Sequence, residues 1–349
     1  MGMTRRRGRV VVRTSAFALF AVIGLAAQQP QRVERVDVAR VIVDVRVIDD
    51  TGRPLFGLEA ADFDVRIDGQ HVRVESAQWV GGEVPGSGLI PSTEVAGILE
   101  PEVRGQLVVF VVQKSLERDR LIGLLRILQE SERLLAGLTP DDRVAVLSFD
   151  SHLKIWLDFT GDLDRVRTVL AEEVMFRKPV PIAPGRGLSL VSRLSQEVGR
   201  ATFTIQEALR LLGHALEPLP GSKSVVLIGH GFGQLTVTLG MIGAMLDGRD
   251  AEVFAALHAA RAAVFCLDVT DANYHTFEVG LQTLAVETGG FFARTHLFAR
   301  RGIDRVATLL VGYYVLFVEP PDVEPGTHRI EVDLIREKGT VFARSSYAD

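Results

Sequence analysis

The sequence has little cysteine, no excess of basic residues and no long apolar run. A single Cys, Cys266, among 349 residues excludes an intrachain disulfide framework. The 39 Lys and Arg stand against 44 Asp and Glu, a net charge of -5 that argues against general binding of polyanions such as nucleic acids. No apolar run reaches the roughly 20 residues that a membrane-spanning helix needs. The chain is nevertheless 47% apolar and 24% charged, which is typical of a folded globular protein and excludes a disordered one.

The N-terminal residues have the layout of a targeting segment. Five arginines lie within the first 13 residues, and the apolar stretch 16–27 and the polar 28–30 follow them. This order is typical of a secretory signal peptide, with cleavage expected near Ala26 or Ala27. The export route stays open between general secretion and the twin-arginine pathway, and an uncleaved anchor is the alternative. We therefore expect an exported, periplasmic or secreted protein.

Two regions with period-two alternation flank a longer region of another kind. Residues 41–48 have valine at every second position, and residues 63–67 and 71–74 surround an Asp-Gly turn. The segment 33–80 is therefore predicted to form a small antiparallel β unit. Residues 81–105 are rich in Gly and Pro and predict a linker. Beyond residue 311 the alternation returns. Because two or three strands rarely stand alone, we expect the two β segments to pair with each other.

Between them, apolar runs alternate with stretches of helical spacing. The runs 107–112, 144–149, 224–228 and 263–269 predict buried strands, and the stretches between them predict helices. This alternation predicts a doubly wound α/β fold with a mostly parallel sheet covered on both faces. Ligands of such folds bind at the carboxyl ends of the strands.

Several fragments together resemble one family. Residues 138–150 (LTPDDRVAVLSFD), with the DFTGD of 158–162, look like the second-strand region of von Willebrand factor A-type domains. The TGRPLFGL of 51–58, the ETGG of 287–290 and the GYYVLF of 312–317 are similar to the "VWFA-related" group of exported bacterial proteins. The predicted organisation is a signal peptide (1–28), an N-terminal β segment (33–80), a linker (81–105), a von Willebrand A-like α/β domain (106–310) and a C-terminal β segment (311–349) that pairs with 33–80 to form a small β-sandwich.

The resemblance implies a metal-ion-dependent adhesion site at the edge of the sheet. That site uses an Asp-x-Ser-x-Ser after the first strand, a Thr from a second loop and an Asp from a third. Mg²⁺ prefers six oxygen ligands at about 2.1 Å, and the carboxylates compensate the loss of its hydration shell. A carboxylate of a partner protein can then take an open coordination position.

This sequence departs from the pattern at the acidic positions. The segment after the first strand places Gln113 where the family has its leading Asp; Ser115 is kept, and Glu117 replaces the last Ser. In the third loop, His230 replaces the Asp. With an amide and an imidazole in place of two acids, we expect no bound metal. Mg²⁺ stays the alternative, and Zn²⁺ at His230 and Glu117 is conceivable but not supported by the spacing.

The second loop offers either Thr202 or Thr204, and we assign Thr202 to the predicted ligand face. The candidate face is therefore Gln113, Ser115, Glu117, Thr202 and His230. Another interpretation is that Gln113, Ser115 and His230 hydrogen-bond one another and cap the strand ends. Asp268 and Asp271, after a later strand, are further binding candidates of lower rank.

An enzyme is the remaining functional alternative. The GHGFG of 229–233 looks like the oxyanion loop of α/β-hydrolases, but no Gly-x-Ser-x-Gly nucleophile elbow occurs in the chain. The sequence therefore predicts a non-enzymatic recognition or adhesion-type module with a degenerate metal site, no cofactor, no nucleic-acid partner and no stable membrane insertion after signal cleavage. We expect a protein partner at the rim of the sheet. A Mg²⁺-dependent adhesion domain and an envelope scaffold without a discrete site are the rival interpretations.

Overall fold

The computed structural model describes residues 40–82, 105–185, 187–238 and 241–348, which belong to one compact unit. The predicted signal peptide and nearly all of the predicted linker lie outside these residues. The strands are β1 (Val41–Ile48), β2 (Phe63–Ile67), β3 (Gln70–Val72), β4 (Val74–Gly81), β5 (Leu107–Gln113), β6 (Arg143–Phe149), β7 (Leu153–Thr160), β8 (Lys223–Gly229), β9 (Gln234–Thr238), β10 (Met241–Met245), β11 (Ala262–Asp268), β12 (Phe292–Arg294), β13 (Gly312–Val318), β14 (Thr327–Leu334), β15 (Thr340–Ala343) and β16 (Ser346–Ala348).

The helices connect the strands of the α/β region. They are α1 (Arg118–Gln129), α2 (Ser131–Leu135), α3 (Leu163–Thr168), α4 (Gln196–Arg200), α5 (Ile205–Leu216), α6 (Gly248–Ala259), α7 (Glu278–Thr288) and α8 (Ala299–Leu309). A 3-10 turn covers Ala60–Asp62, and a π-helical turn, Val169–Glu173, continues α3. No helix among the described residues combines the length and the apolar character needed to cross a bilayer.

A six-stranded sheet forms the centre of the α/β region, in the order β12-β11-β8-β5-β6-β7. All neighbours pair in parallel except β7, which runs antiparallel to β6 at the edge. Every residue of β5, β8 and β11 is buried, as expected for strands covered on both faces. The α/β fold class predicted from the sequence is confirmed.

Two hydrophobic cores lie on the two faces of this sheet. In β5, Val108, Phe110 and Val112 face the core that includes buried residues of α1, α2 and α8. Their neighbours Leu107 and Val109 face the core that includes buried residues of α5, α6 and α7. Cys266 is buried in this second core, as predicted, and burial raises the pKa of its thiol.

The flanking β segments form two antiparallel four-stranded sheets, in the orders β15-β1-β13-β4 and β16-β14-β2-β3. The β1–β13 and β2–β14 pairs join strands from opposite ends of the sequence, with Val43 opposite Leu316 and Val65 opposite Val332. Alternate side chains of both sheets meet in a third core around Tyr314. The predicted small β-sandwich is therefore present, and the α/β unit is inserted between β4 and β13.

Two elements differ from the sequence-based expectation. The stretch between the runs 107–112 and 144–149, which the sequence predicts as helical, forms two helices, α1 and α2. They are separate because Glu130 leaves the helical conformation, with φ of -92° and ψ of 22°. The β9–β10 hairpin was not predicted. The sequence feature that could have predicted this hairpin is the alternation of Leu235 and Val237 with Thr236 and Thr238. Only the Gly-rich segment before it was interpreted in the sequence.

Candidate functional site at the carboxyl edge of the sheet

The predicted ligand face begins at the carboxyl end of β5. Gln113 is its last residue and is buried, and its side chain reaches across to the loop after β8. Its Oε1 accepts hydrogen bonds from the backbone N–H of His230 at 3.0 Å and of Gly231 at 3.2 Å, and its Nε2 donates to the Gly231 carbonyl at 3.0 Å. Gln113 therefore uses both ends of its amide to hold the loop that carries His230.

Ser115 and Glu117 lie beyond Gln113, at the start of α1. The Ser115 hydroxyl accepts a hydrogen bond from the backbone N–H of Glu117 at 3.2 Å. Glu117 is the N-cap residue of α1, and its exposed carboxylate pairs with Arg120 at 3.2 Å. In these contacts Ser115 and Glu117 organise the first turn of the helix. Gln113 thus bonds to the backbone of His230 and Gly231, whereas Ser115 bonds to the backbone of Glu117.

The two candidate threonines occupy different places. The buried Thr202 hydroxyl accepts from the backbone N–H of Leu153, at the start of the edge strand β7, and donates to the Gly199 carbonyl at 2.7 Å. Thr204 is the N-cap residue of α5 and lines an open hollow together with His230. Thr204, the candidate that the sequence analysis ranked second, is therefore the threonine beside His230.

The hollow has a volume of about 600 Å³ and lies between the first residues of α5 and α6 and the loop after β8. Its described lining contains two arginines, Arg120 and Arg249, and no acidic side chain. Thr204 supplies the only hydroxyl of this described lining, and that oxygen already accepts a hydrogen bond from the Glu207 N–H. The other lining residues are Gln206, His230, Gly231, Phe232, Gly233, Gln234, Leu235 and Phe277.

His230 is neutral at physiological pH. Burial in the first place, and the nearby Arg120 and His275 in the second, lower the pKa of His230 to about 4. Its Nδ1 is buried and has no hydrogen-bond partner among the described residues. The following Gly231 has φ of +86°, and a Cβ at that position would lie 2.2 Å from the Phe277 carbonyl oxygen. Only glycine therefore fits this turn, which fixes the direction of the imidazole.

Positive charge surrounds the end of β6, beside Gln113. Lys114 lies 3.9 Å from Asp150, and Lys154 contacts the same carboxylate at 2.6 Å. Burial pushes the pKa of Asp150 upward, but hydrogen bonds from Lys154 and Ser151 outweigh it and lower this pKa to about 2. The carboxylate at the end of β6, the strand beside β5, is thus already paired with two lysines.

A second polar cluster lies at the end of β11. Asp268 is completely buried, and its Oδ2 lies 2.8 Å from His275 Nε2. Glu278, the first residue of α7, is also buried and pairs with Arg294 of β12. Asp268 was a minor candidate in the sequence, but His275 and Glu278 were not found, because ten positions separate Asp268 from Glu278 and only the turn after β11 brings them together.

The comparisons with known proteins concern architecture. No family model matches the chain, and no curated protein matches it. Among solved structures, it is similar to a von Willebrand factor type A protein from Catenulispora acidiphila (11% identity, 84% of this chain and 74% of that chain, TM-score 0.39). It is also similar to an aerotolerance-related membrane protein from Bacteroides fragilis (16% identity, 58% and 98%, TM-score 0.37).

A third similar structure is proximal thread matrix protein 1 from the mussel byssus with a zinc-occupied metal-ion-dependent adhesion site (12% identity, 62% of this chain and 48% of that chain, TM-score 0.38). At these levels of identity the similarity is one of fold. The solved structures to which this chain is similar thus include one described as von Willebrand factor type A and one with a metal-ion-dependent adhesion site.

Proposed function

We propose that this chain is an exported, non-enzymatic recognition module that docks a protein partner on the carboxyl edge of its central sheet. No cation bridges the two proteins at Gln113, Ser115 and Glu117. The single observation that carries the proposal is a group of exposed apolar side chains beside a hollow that contains arginines and no described acid.

Four large apolar side chains are exposed at this edge, three in loops and one in β9. Leu116 is 87% exposed, Phe203 78%, Tyr274 72% and Leu235 56%. Leu235 lines the hollow, and Phe203 directly precedes Thr204, which also lines it. Large exposed apolar groups that surround a polar centre are typical of protein interaction sites, and aromatic residues contribute most to such interfaces. We call Leu116, Phe203, Leu235 and Tyr274 the apolar collar.

The charge of the hollow indicates the chemistry of the partner. Arg120 and Arg249 lie in its lining, and Arg120 is only 21% exposed. Arg120 pairs with the exposed Glu117 and Arg249 with Asp247 at 2.8 Å, so a carboxylate of the partner would replace one of these two acids. A guanidinium that is partly desolvated binds a carboxylate in two parallel hydrogen bonds. We therefore expect the partner to insert an Asp or Glu side chain into the hollow while its apolar residues pack on the collar. Arg120 takes the role that Mg²⁺ has in a metal-dependent adhesion site.

The experiment compares variants of the full chain. The immobilised chain captures proteins from an envelope extract of the source cells, and a captured protein is then purified for calorimetry. The double variant Phe203→Ser/Leu235→Ser removes collar residues, and the matched control Val286→Ser/Ile335→Ser changes two residues that are equally exposed but lie outside the collar. We expect at least about tenfold weaker binding for the collar variant and for Arg120→Glu, and unchanged binding for the control.

Addition of Mg²⁺ separates this proposal from the rival adhesion domain. We expect the same affinity with and without Mg²⁺. Binding that requires Mg²⁺ and is lost in Glu117→Ala would support the metal-dependent module instead. Binding that persists in the collar variant would overturn the proposal. An esterase activity that His230→Ala abolishes would support the hydrolase alternative.

A further inference from the structure

Three side chains with metal-ligating atoms converge beyond the end of β11. Asp268 ends the strand, His275 lies in the following loop and Glu278 begins α7. One ligand atom from each of the three lies within 4.8 Å of the other two. We call Asp268, His275 and Glu278 the β11 cluster. It lies two strands along the sheet from Gln113, at the end of a strand that carries none of the adhesion-site positions that the resemblance implies.

The two carboxylates of the β11 cluster are buried, and only one of them has a permanently charged partner. The side chains of Asp268 and Glu278 are each 1% exposed. Both oxygens of Glu278 accept from the guanidinium of Arg294, and Gln282 donates to the same carboxylate. Asp268 accepts from the Thr270 N–H at 2.9 Å, and its one ion-pair partner in the described part of the chain is His275. An imidazole carries a positive charge only when it is protonated, and a buried carboxylate without a charged partner costs several kcal/mol. A bound cation would therefore compensate Asp268, in competition with Arg294 for Glu278.

The spacing of the ligand atoms suits a small divalent ion. Asp268 Oδ2 and His275 Nε2 lie 2.8 Å apart. Neighbouring ligands at right angles around an ion with bonds of about 2.1 Å are about 3 Å apart, so both atoms can bind one ion after small movements. An imidazole with two carboxylates selects a first-row transition metal over Mg²⁺ or Ca²⁺, which prefer oxygen ligands alone.

Two buried polar atoms beside the cluster have no hydrogen-bond partner among the described residues. They are His230 Nδ1 and Thr270 Oγ1. Gly229 pairs with Asp268 across the β8–β11 ladder, so His230 follows directly beside the cluster, and Thr270 is two residues beyond Asp268. Buried polar atoms are almost always satisfied by protein or ordered water. Three protein ligands leave positions for water on the ion, and such water can supply the missing partners.

We propose that Asp268, His275 and Glu278 bind a divalent transition-metal ion, Zn²⁺ or Mn²⁺, at the end of β11. The ion ties the loop after β11 to the first turn of α7, at the edge of the sheet that carries the apolar collar. None of its three ligands lines the hollow, although Phe277, which precedes Glu278, does.

The test is a metal titration of the untagged full chain after treatment with a chelator and dialysis. Calorimetry with ZnCl₂, and separately with MnCl₂, should detect one equivalent of ion per chain. His275→Gln should weaken this binding at least about tenfold. The control Asp271→Asn changes an exposed carboxylate of the same loop, which contacts Arg126 at 3.5 Å, and should bind the ion like the wild type.

Arg294→Gln distinguishes a metal site from a simple ion-pair network. Removal of the competing guanidinium frees the Glu278 carboxylate, so the variant should bind the ion more tightly and gain more thermal stability from it than the wild type does. If His275→Gln does not fold by circular dichroism, Glu278→Gln takes its place. Failure of the wild type to bind either ion below millimolar concentration, or equal binding by wild type and ligand variants, would overturn the proposal. No partner protein enters the titration, so its result does not depend on the docking proposal.

Discussion

At the scale of single residues, Gln113 has the largest local consequence. Its amide accepts from two backbone N–H groups and donates to one carbonyl of the loop after β8. An aspartate in its place would have no N–H to donate to the Gly231 carbonyl. A neutral amide at this position can therefore make all three hydrogen bonds to the loop that carries His230, whereas a carboxylate can make only two of them.

The Gln113→Ala variant tests this role. It leaves the backbone N–H groups of His230 and Gly231 without their acceptor, and each unsatisfied buried group costs about 1–3 kcal/mol. We expect the free energy of unfolding to fall by about 2–4 kcal/mol in urea titrations. Gln234→Ala, at an exposed position three residues beyond Gly231, is the control and should change it by less than about 0.5 kcal/mol. Equal stability of both variants would contradict this account of Gln113.

Residue types alone predicted part of the candidate site. The replacement of acids by Gln113 and His230 is visible in the sequence, and both side chains lie at the predicted edge. The sequence could not show whether Thr202 or Thr204 lies beside His230. Both belong to one short loop, and the path of the chain before α5 decides which of them faces the hollow. His275 and Glu278 were also missed, since neither has a second ligand at a recognisable spacing in the sequence.

At the scale of elements, close backbone approaches set the shape of the edge. Gly123 in α1 faces the loop after β11, and a Cβ there would lie 1.8 Å from the Val269 carbonyl oxygen. The Asp271 N–H also donates to the Asp119 carbonyl at 3.0 Å. Helix α1 and the loop that carries the β11 cluster are thereby held together without intervening side chains.

Gly123→Ala should separate these two elements. The added methyl group cannot be accommodated without backbone movement, so we expect a loss of about 1–3 kcal/mol in the free energy of unfolding. Gly248→Ala is the matched control, since a Cβ at this helical position meets no atom within 4 Å. Alanine there should be neutral or stabilise by up to about 1 kcal/mol. The pair is measured by urea unfolding, and a neutral Gly123→Ala would refute the close approach.

At the scale of the whole molecule, buried cations lie where the β-sandwich meets the α/β unit. Arg46 of β1 is 2% exposed, donates to the Leu309 carbonyl and to Ser224 Oγ, and lies over the rings of Phe265 and Tyr313. Nearby, Asp44 of β1 pairs with Arg261, which precedes β11. The strands of the sandwich are thus tied to the sheet by polar groups as well as by apolar packing.

Lys223 gives this junction a measurable pH dependence. Burial first, and the neighbouring Arg261 second, lower the pKa of Lys223 to about 8, although Asp44 and Glu217 act in the opposite direction. Below pH 8 the lysine is charged in both the folded and the unfolded state. The folded state then carries the full free-energy cost of a buried charge. Between about pH 8 and 10.4 only the unfolded state keeps the proton, so stability rises with pH by up to about 3 kcal/mol.

The comparison of wild type with Lys223→Met isolates this contribution. Urea unfolding at pH 7.5 and at pH 10 should show the wild type gaining about 2–3 kcal/mol relative to the variant. When the free energy of unfolding of one protein is subtracted from that of the other, the contributions of groups that titrate in both, such as Cys266 and Tyr313, cancel. Parallel pH profiles would show that Lys223 carries an ordinary charge in the folded state.

The pattern of apolar residues in the sequence determined which segments form strands and which form helices. A period of two, or helical spacing, places the side chains that become buried on one face of the element. The same pattern also determined that two β segments flank an α/β unit. Tertiary structure alone decided which strands pair, since β1 meets β13 across more than 260 positions. It likewise decided where Arg46 and the β11 cluster lie. Such contacts depend on the path of the whole chain in space, and no local pattern of residues encodes the distance between two loops.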